Sequence, residues 1–189
     1  MKNKWKGIFL VYVVVQLIAI SIFLVWITRP VEKKQVTDMP KREGIAIELQ
    51  TTKEDVNEMI KHYLEKENIS SPVQFDVYLT DKVELYGSLP VFSEEIQFKM
   101  TFEPMALENG DLLLKQESVS VGNLNLPVSF ILKLIQKSYH LPTWVSIDPK
   151  EEEIYVSMRE LNIRDDLAIY AQTFDLKNND ISFLLQIQP

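Results

Sequence analysis

An α+β fold behind a single N-terminal transmembrane helix is what this 189-residue sequence predicts, and three patterns predict it. An uncharged apolar run occupies the start of the chain. Further on, two segments repeat apolar residues at helical spacing, and others alternate apolar with polar residues as half-buried strands do. In order, the part after the run reads as helix, four strands, helix, four strands. Tight antiparallel connections with helices presented to one face then give a curved antiparallel sheet wrapping two helices, α-β4-α-β4.

The apolar run extends from Gly7 to Ile27, 21 residues with no charge and with Gln16 as the strongly polar member. At about 1.5 Å per residue a helix of this length crosses a hydrocarbon core of roughly 30 Å. Trp5 and Trp26 stand at its ends, where indoles prefer the headgroup level, and Pro30 stops the helix. Thr28-Arg29-Pro30-Val31-Glu32 lacks the small-x-small pattern of a cleavage site, so the run reads as an anchor and not a removed signal. Lys2, Lys4 and Lys6 precede it and Arg29, Lys33, Lys34, Lys41 and Arg42 follow, so basic residues alone do not orient it. The short basic tail before the first apolar run favours an inside N-terminus. The expected organisation is a cytoplasmic tail over 1–6, a transmembrane helix over 7–27, a juxtamembrane linker over 28–44 and an extracytoplasmic domain over 45–189, placed at the cell membrane with the C-terminal domain outside.

Composition narrows the function classes. With 46% apolar residues and 5 glycines the chain can bury a core. It has no cysteine, which removes disulfides, thiolate metal sites and cysteine nucleophiles. The formal charge is −7, and several lysines belong to the flanks of the apolar run, so the domain itself is more acidic still. A nucleic-acid partner demands a basic footprint and is excluded on this ground.

Within the domain, Thr51 and Thr52 with Glu54 and Asp55 form an N-cap and capping box, and Val56, Met59, Ile60, Tyr63 and Leu64 follow at helical spacing. Val73, Phe75, Val77 and Leu79 alternate; Asp81-Lys82 turns; Val83 and Leu85 resume; Ile96, Phe98, Met100 and Phe102 alternate again. Asn109-Gly110 is a hairpin signal leading into the run from Asp111 to Val121. Pro127 opens a second helix whose Val128, Ile131, Leu132, Leu134, Ile135 and Tyr139 leave little polar surface. Four strands are expected after it: Trp144 to Asp148, Ile154 to Leu161, Leu167 to Phe174 and Ile181 to Ile187.

Lys53-Glu-Asp-Val-Asn57, Phe102-Glu-Pro104, Asn109-Gly-Asp-Leu112, Ser120-Val-Gly122, Leu126-Pro127, Leu141-Pro-x-Trp-Val145 and Phe174-Asp-Leu176, behind the basic tail and apolar run, resemble the YpmS family of Firmicutes. The resemblance covers nearly the whole chain. It implies a membrane-anchored topology and brings no activity, the family being uncharacterised. A more distant similarity of pattern, Val121-Gly122-x-Leu124 running into the helix after Leu126-Pro127 with a later Leu141-Pro142 turn, is to bacterial tubular lipid-binding domains, in which a curved sheet wraps a helix beside an apolar groove.

Reactive groups are few. His62 reads as a surface residue of the first helix, and His140 as a partner of the last carbonyls of the second. No spacing of these two with carboxylates suits a metal, and no cofactor is implied. Asp165-Asp166 and Glu151-Glu152-Glu153 fall at turns, where solvated charge is the ordinary outcome. Ser129 and Lys133 lie four apart on the second helix, outside any known serine–lysine motif. No catalytic residue is assigned and the protein is expected not to be an enzyme, since a hydrolase would need a polar cluster that the sequence does not assemble. What exceeds an ordinary composition is the apolar excess, with 9 Phe and 6 Met. It reads as core, as the walls of a lipid groove with Val128, Ile131, Leu132 and Ile135 among them, or as both. Two functions are carried forward: binding or transfer of a lipid or lipid-linked envelope component, and a protein-interaction or scaffold module docking a cell-envelope enzyme, which a filled interior would favour.

Overall fold

The computed structural model describes residues 45–68, 75–91, 94–122, 126–139, 141–161 and 167–187, and in the N-terminal segment Phe9, Tyr12, Gln16, Ile18 and Ser21. The chain divides into two compact units, Met1–Lys33 and Lys34–Pro189. In the first unit the five described residues are helical. The rest of the span expected over 7–27 lies outside the described residues, as does the linker over 28–44. Among the described residues no helix is long and apolar enough to cross a membrane, so the predicted transmembrane helix has no counterpart there.

The second unit is mostly sheet, and the expected fold class is corrected by it. Its strands are β1 (Ile45–Thr51), β2 (Phe75–Leu79), β3 (Val83–Val91), β4 (Glu94–Ala106), β5 (Leu112–Val121), β6 (Val145–Asp148), β7 (Glu153–Val156), β8 (Leu167–Asp175) and β9 (Asp180–Ile187); its helices are α1 (Lys53–Asn68) and α2 (Val128–Ser138). Six strands in the order β2-β3-β4-β5-β7-β6 make a half-barrel, and three in the order β1-β9-β8 make a separate sheet, every pair antiparallel. The expectation of one curved sheet wrapping two helices in the order α-β4-α-β4 fails in two ways. A strand precedes the first helix, and the last four strands divide, β6 and β7 joining the first sheet through β5 while β8 and β9 pair with β1. Both errors have one cause. The pairing Thr51↔Ile181 and its neighbours joins segments far apart in sequence, and local alternation does not report such partners.

Helix α1 starts where its cap chemistry places it. The Thr52 hydroxyl oxygen accepts the Asp55 N–H at 3.2 Å and its hydroxyl donates to the Asp55 carboxylate at 2.8 Å, while Asn179 of the β8–β9 turn accepts the Lys53 N–H at 2.8 Å. Helix α2 has no side-chain cap and is held by burial. Ile131 and Leu132 have no exposed surface and pack with Phe98, Met100 and Phe102 of β4, Ile147 of β6 and Ile181 of β9. Tyr139 closes the helix. Its hydroxyl donates to the Ser88 carbonyl at 2.8 Å and accepts the Ser88 N–H at 3.2 Å, over a Gly87 whose Cβ, if present, would lie 2.7 Å from both Phe98 and that hydroxyl. A smaller cluster of Leu112, Met158, Ile169 and Ala171 lies beside the three-stranded sheet, and Phe174 and Phe183 pack against both clusters.

Candidate functional site

The residues expected to wall a groove are core. Ile131, Leu132 and Ile135 are buried and Val128 is half-buried against the same cluster, with aromatic and aliphatic side chains filling the space beside them. The concavities around Glu103–Asp175–Lys177 (about 380 Å³) and Lys53–Thr80–Glu84 (about 480 Å³) are shallow and polar, and neither touches α2. His62 is exposed on α1, Ser129 is half-buried and Lys133 exposed on α2, and Glu151 lies exposed in the β6–β7 turn. His140, Asp165 and Asp166 lie outside the described residues. Among the described residues no three His, Cys, Asp or Glu side chains are placed to hold a metal ion.

One polar cluster escaped the sequence reading. Asp111, wholly buried at the end of the β4–β5 turn, has one carboxylate oxygen accepting the Met158 N–H at 2.9 Å. The other accepts the Asn109 amide at 2.7 Å and the Tyr155 hydroxyl, with the Arg159 guanidinium 3.5 Å away. Asn109 in turn accepts the Asp111 N–H at 3.1 Å and donates to Tyr155 at 3.0 Å. Burial, and then the adjoining Asp111 carboxylate, push the Tyr155 phenol above its ordinary 10.0. The turn also joins the sheets, because Ala171 of β8 donates its N–H to the Gly110 carbonyl at 2.7 Å. Gly110 is required there. Its φ is +82°, and a Cβ would lie 2.6 Å from Cβ of Tyr170. The signal in the sequence was Asn-Gly followed directly by Asp; the partners at 155, 158 and 159 could not be read from it. Every ligand of Asp111 comes from the domain itself, and among the described residues the buried side-chain atom left without a hydrogen-bond partner is Arg159 Nε; the cluster reads as a structural joint.

The surface offers a different kind of site. Unpaired sheet edges invite added strands, and proteins blunt them with cover, bulges, charge or shortness. Among the described residues the two sheets have four edges, and three of them are blunted. On β2, the side chain of Asn57 from α1 takes both backbone groups of Leu79, accepting its N–H at 2.7 Å and donating to its carbonyl at 2.8 Å. Strand β6 has four residues. Strand β8 carries a bulge between Ala171 and Thr173 and gives its Ala171 N–H to the hairpin tip. The fourth edge, β1, is seven residues long, pairs with β9 without a shift in register, and contains neither lysine nor proline. Among the described residues no strand pairs with its other side. Ile45, Ile47 and Leu49, on one face of it, are 67%, 48% and 45% exposed. Opposite them on β9 stand Ile187, Leu185 and Phe183, the last two packed on the smaller core cluster, so the face continues the core outward into solvent.

Fold and surface together define a two-sheet β-rich domain with buried apolar clusters and, among the described residues, one open, apolar edge strand. Residues 3–187 match the bacterial family described as "Uncharacterized protein conserved in bacteria (DUF2140)", and the chain belongs to that family. It is 29% identical over 181 residues to the "Uncharacterized protein YpmS" of Bacillus subtilis (strain 168), covering 96% of each chain, which places it among the YpmS proteins. No solved structure matches the chain.

Proposed function

We propose that the domain is a non-catalytic docking module of the cell envelope that receives a protein partner by strand addition along β1. The observation that carries this reading is the β1 edge: three large aliphatic side chains exposed beside an open backbone edge, in a domain whose other edges are blunted. Strand addition uses such parts, backbone hydrogen bonds supplying affinity and alternate side chains specificity. Placement of the domain at the outer face of the cell membrane is part of the proposal and rests on the uncharged run from Gly7 to Ile27 in the sequence. Absence of catalysis is likewise a proposal, supported by Asp111, the most buried carboxylate described, having its oxygens taken by groups of the domain itself.

Lipid binding is the second reading. The filled surroundings of Ile131 and Leu132 weigh against a groove beside α2. The face formed by Ile45, Ile47, Leu49 and Ile187 could instead lie along an acyl chain, and that observation keeps the reading in play. One experiment separates the two. A photo-crosslinking residue is placed at Leu49 of the full chain in living cells, with Lys133 as an exposed control. A protein adduct at Leu49 that disappears when Ile47→Lys is added supports docking. A lipid adduct at Leu49 moves the assignment to lipid binding. Labelling no greater than at Lys133 contradicts both.

A further inference from the structure

Resting on the strand-addition reading, we infer that the partner taken by β1 is a second copy of this chain, the two β1 strands pairing antiparallel about a twofold axis through Ile47. The sequence Ile45-Ala46-Ile47-Glu48-Leu49 is close to symmetric about its centre. With the axis at Ile47, Ile45 faces Leu49 of the other copy, Ile47 faces its own counterpart, and Glu48 faces Ala46. Directly opposed residues of an antiparallel pair share a face, so the three exposed aliphatic residues of each copy meet in three apolar pairs on one side. The stripe continues through Ile187, Leu185 and Phe183 of each β9, giving one six-stranded sheet with an unbroken apolar face.

Apolar pairing favours this register, and charge disfavours the one centred on Glu48. Moving the axis to Glu48 sets the two glutamates directly opposite each other, an arrangement that repels, and moves Ile45 opposite Thr51. A register shifted by half a step sets Ile47 opposite Glu48 and Ile45 opposite Gln50, sends the two apolar faces to opposite sides of the sheet, and admits no twofold axis. With the axis at Ile47 each glutamate has a small, uncharged neighbour. The contact is isologous, so it closes after two copies and does not propagate into a fibre. The blunted edges at β2, β6 and β8 leave no second site for growth among the described residues. One strand is left open, and its side-chain order fits itself.

The chain has no cysteine, so introduced thiols report pairing directly. Single-cysteine variants of the full chain are expressed, and isolated membranes or detergent-solubilised protein are oxidised. I47C sits on the axis, within disulfide reach of its counterpart, and forms a disulfide dimer. E48C and its counterpart are offset by two residues along paired strands, too far for a disulfide, and should give roughly tenfold less dimer than I47C. I45C alone and L49C alone remain monomeric, because each counterpart lies about 14 Å away along the strands. Co-expressed and distinguishably tagged, they form the mixed dimer, and adding Ile47→Lys to both abolishes it. Since Ile47 is an exposed residue, these substitutions leave the fold in place, which circular dichroism of each variant verifies. Equal dimer from I47C and E48C, or no mixed I45C–L49C dimer, overturns the inference. If I47C gives no dimer while the photo-crosslinker at Leu49 still captures a different protein, the second-copy inference falls and the docking reading stands. If both give nothing, both fall.

Discussion

A carboxylate with no exposed surface is held only when its oxygens find donors, and Asp111 meets that condition with Asn109, Tyr155, the Met158 N–H and Arg159. Removing it by Asp111→Ala strands these buried groups, so the account predicts a loss of about 3–5 kcal/mol in urea unfolding of the full chain. Gly110→Ala drives a methyl group into Tyr170 at a positive φ, and should cost about 1–3 kcal/mol by the same measurement. A third prediction concerns alkaline pH. Burial holds the phenols of Tyr139, Tyr155 and Tyr170 above their ordinary 10.0. The unfolded chain therefore gives up these protons first as pH rises. Their contribution to stability is full below about pH 10 and falls as pH climbs through the raised folded values. Unfolding midpoints recorded from pH 8 upward should decline from about pH 10, and Tyr139→Phe should soften the decline. At this scale the sequence was legible where one residue announces itself locally. The Thr52 cap and the Asn109-Gly110 turn are local chemistry, whereas the role of Asp111 depends on residues more than forty positions away, which no spacing encodes.

Among the elements, α2 was read correctly as a helix that must be covered, and the choice between core and groove is a question of volume that sequence leaves open. The structure places Ile131 and Leu132 without exposed surface and leaves Phe130 46% exposed on the same helix. Ile131→Ala should cost about 2–5 kcal/mol through lost burial and the cavity left behind. Phe130→Ala should stay within about 0.5 kcal/mol, an asymmetry that one pair of unfolding curves checks. The strands β2 to β5 were visible because their apolar residues alternate between a covered and a wet face. Strand β1 was not foreseen even though Ile45, Ile47 and Leu49 alternate, because so short an alternating run carries little signal until its partner β9 is known. The strand expected from Ile154 to Leu161 ends at Val156, and the chain turns into a 3-10 segment over Met158–Glu160 that brings the Met158 N–H to Asp111. That interruption carries the Asp111 contact and leaves no trace in hydrophobic period.

For the molecule as a whole, two sheets are joined by a shared core and by the bond from Ala171 to Gly110, and among the described residues the edge of β1 is left open. The fold class inferred from sequence failed at this scale, since the division into a six-stranded and a three-stranded sheet is set by pairings between distant segments. Family membership was legible, because it is carried by scattered short motifs along nearly the entire chain. The central claim, that β1 is a strand-addition site, is tested most directly by backbone hydrogen exchange over Ile45–Thr51 in the full chain. On a free edge, amides that point toward β9 are protected and those that point outward exchange rapidly. The account predicts slow exchange at successive residues from Ile45 to Leu49, with the outward-pointing amides released by Ile47→Lys. Rapid exchange of the outward-pointing amides in the unmodified chain, unchanged by Ile47→Lys, would contradict it.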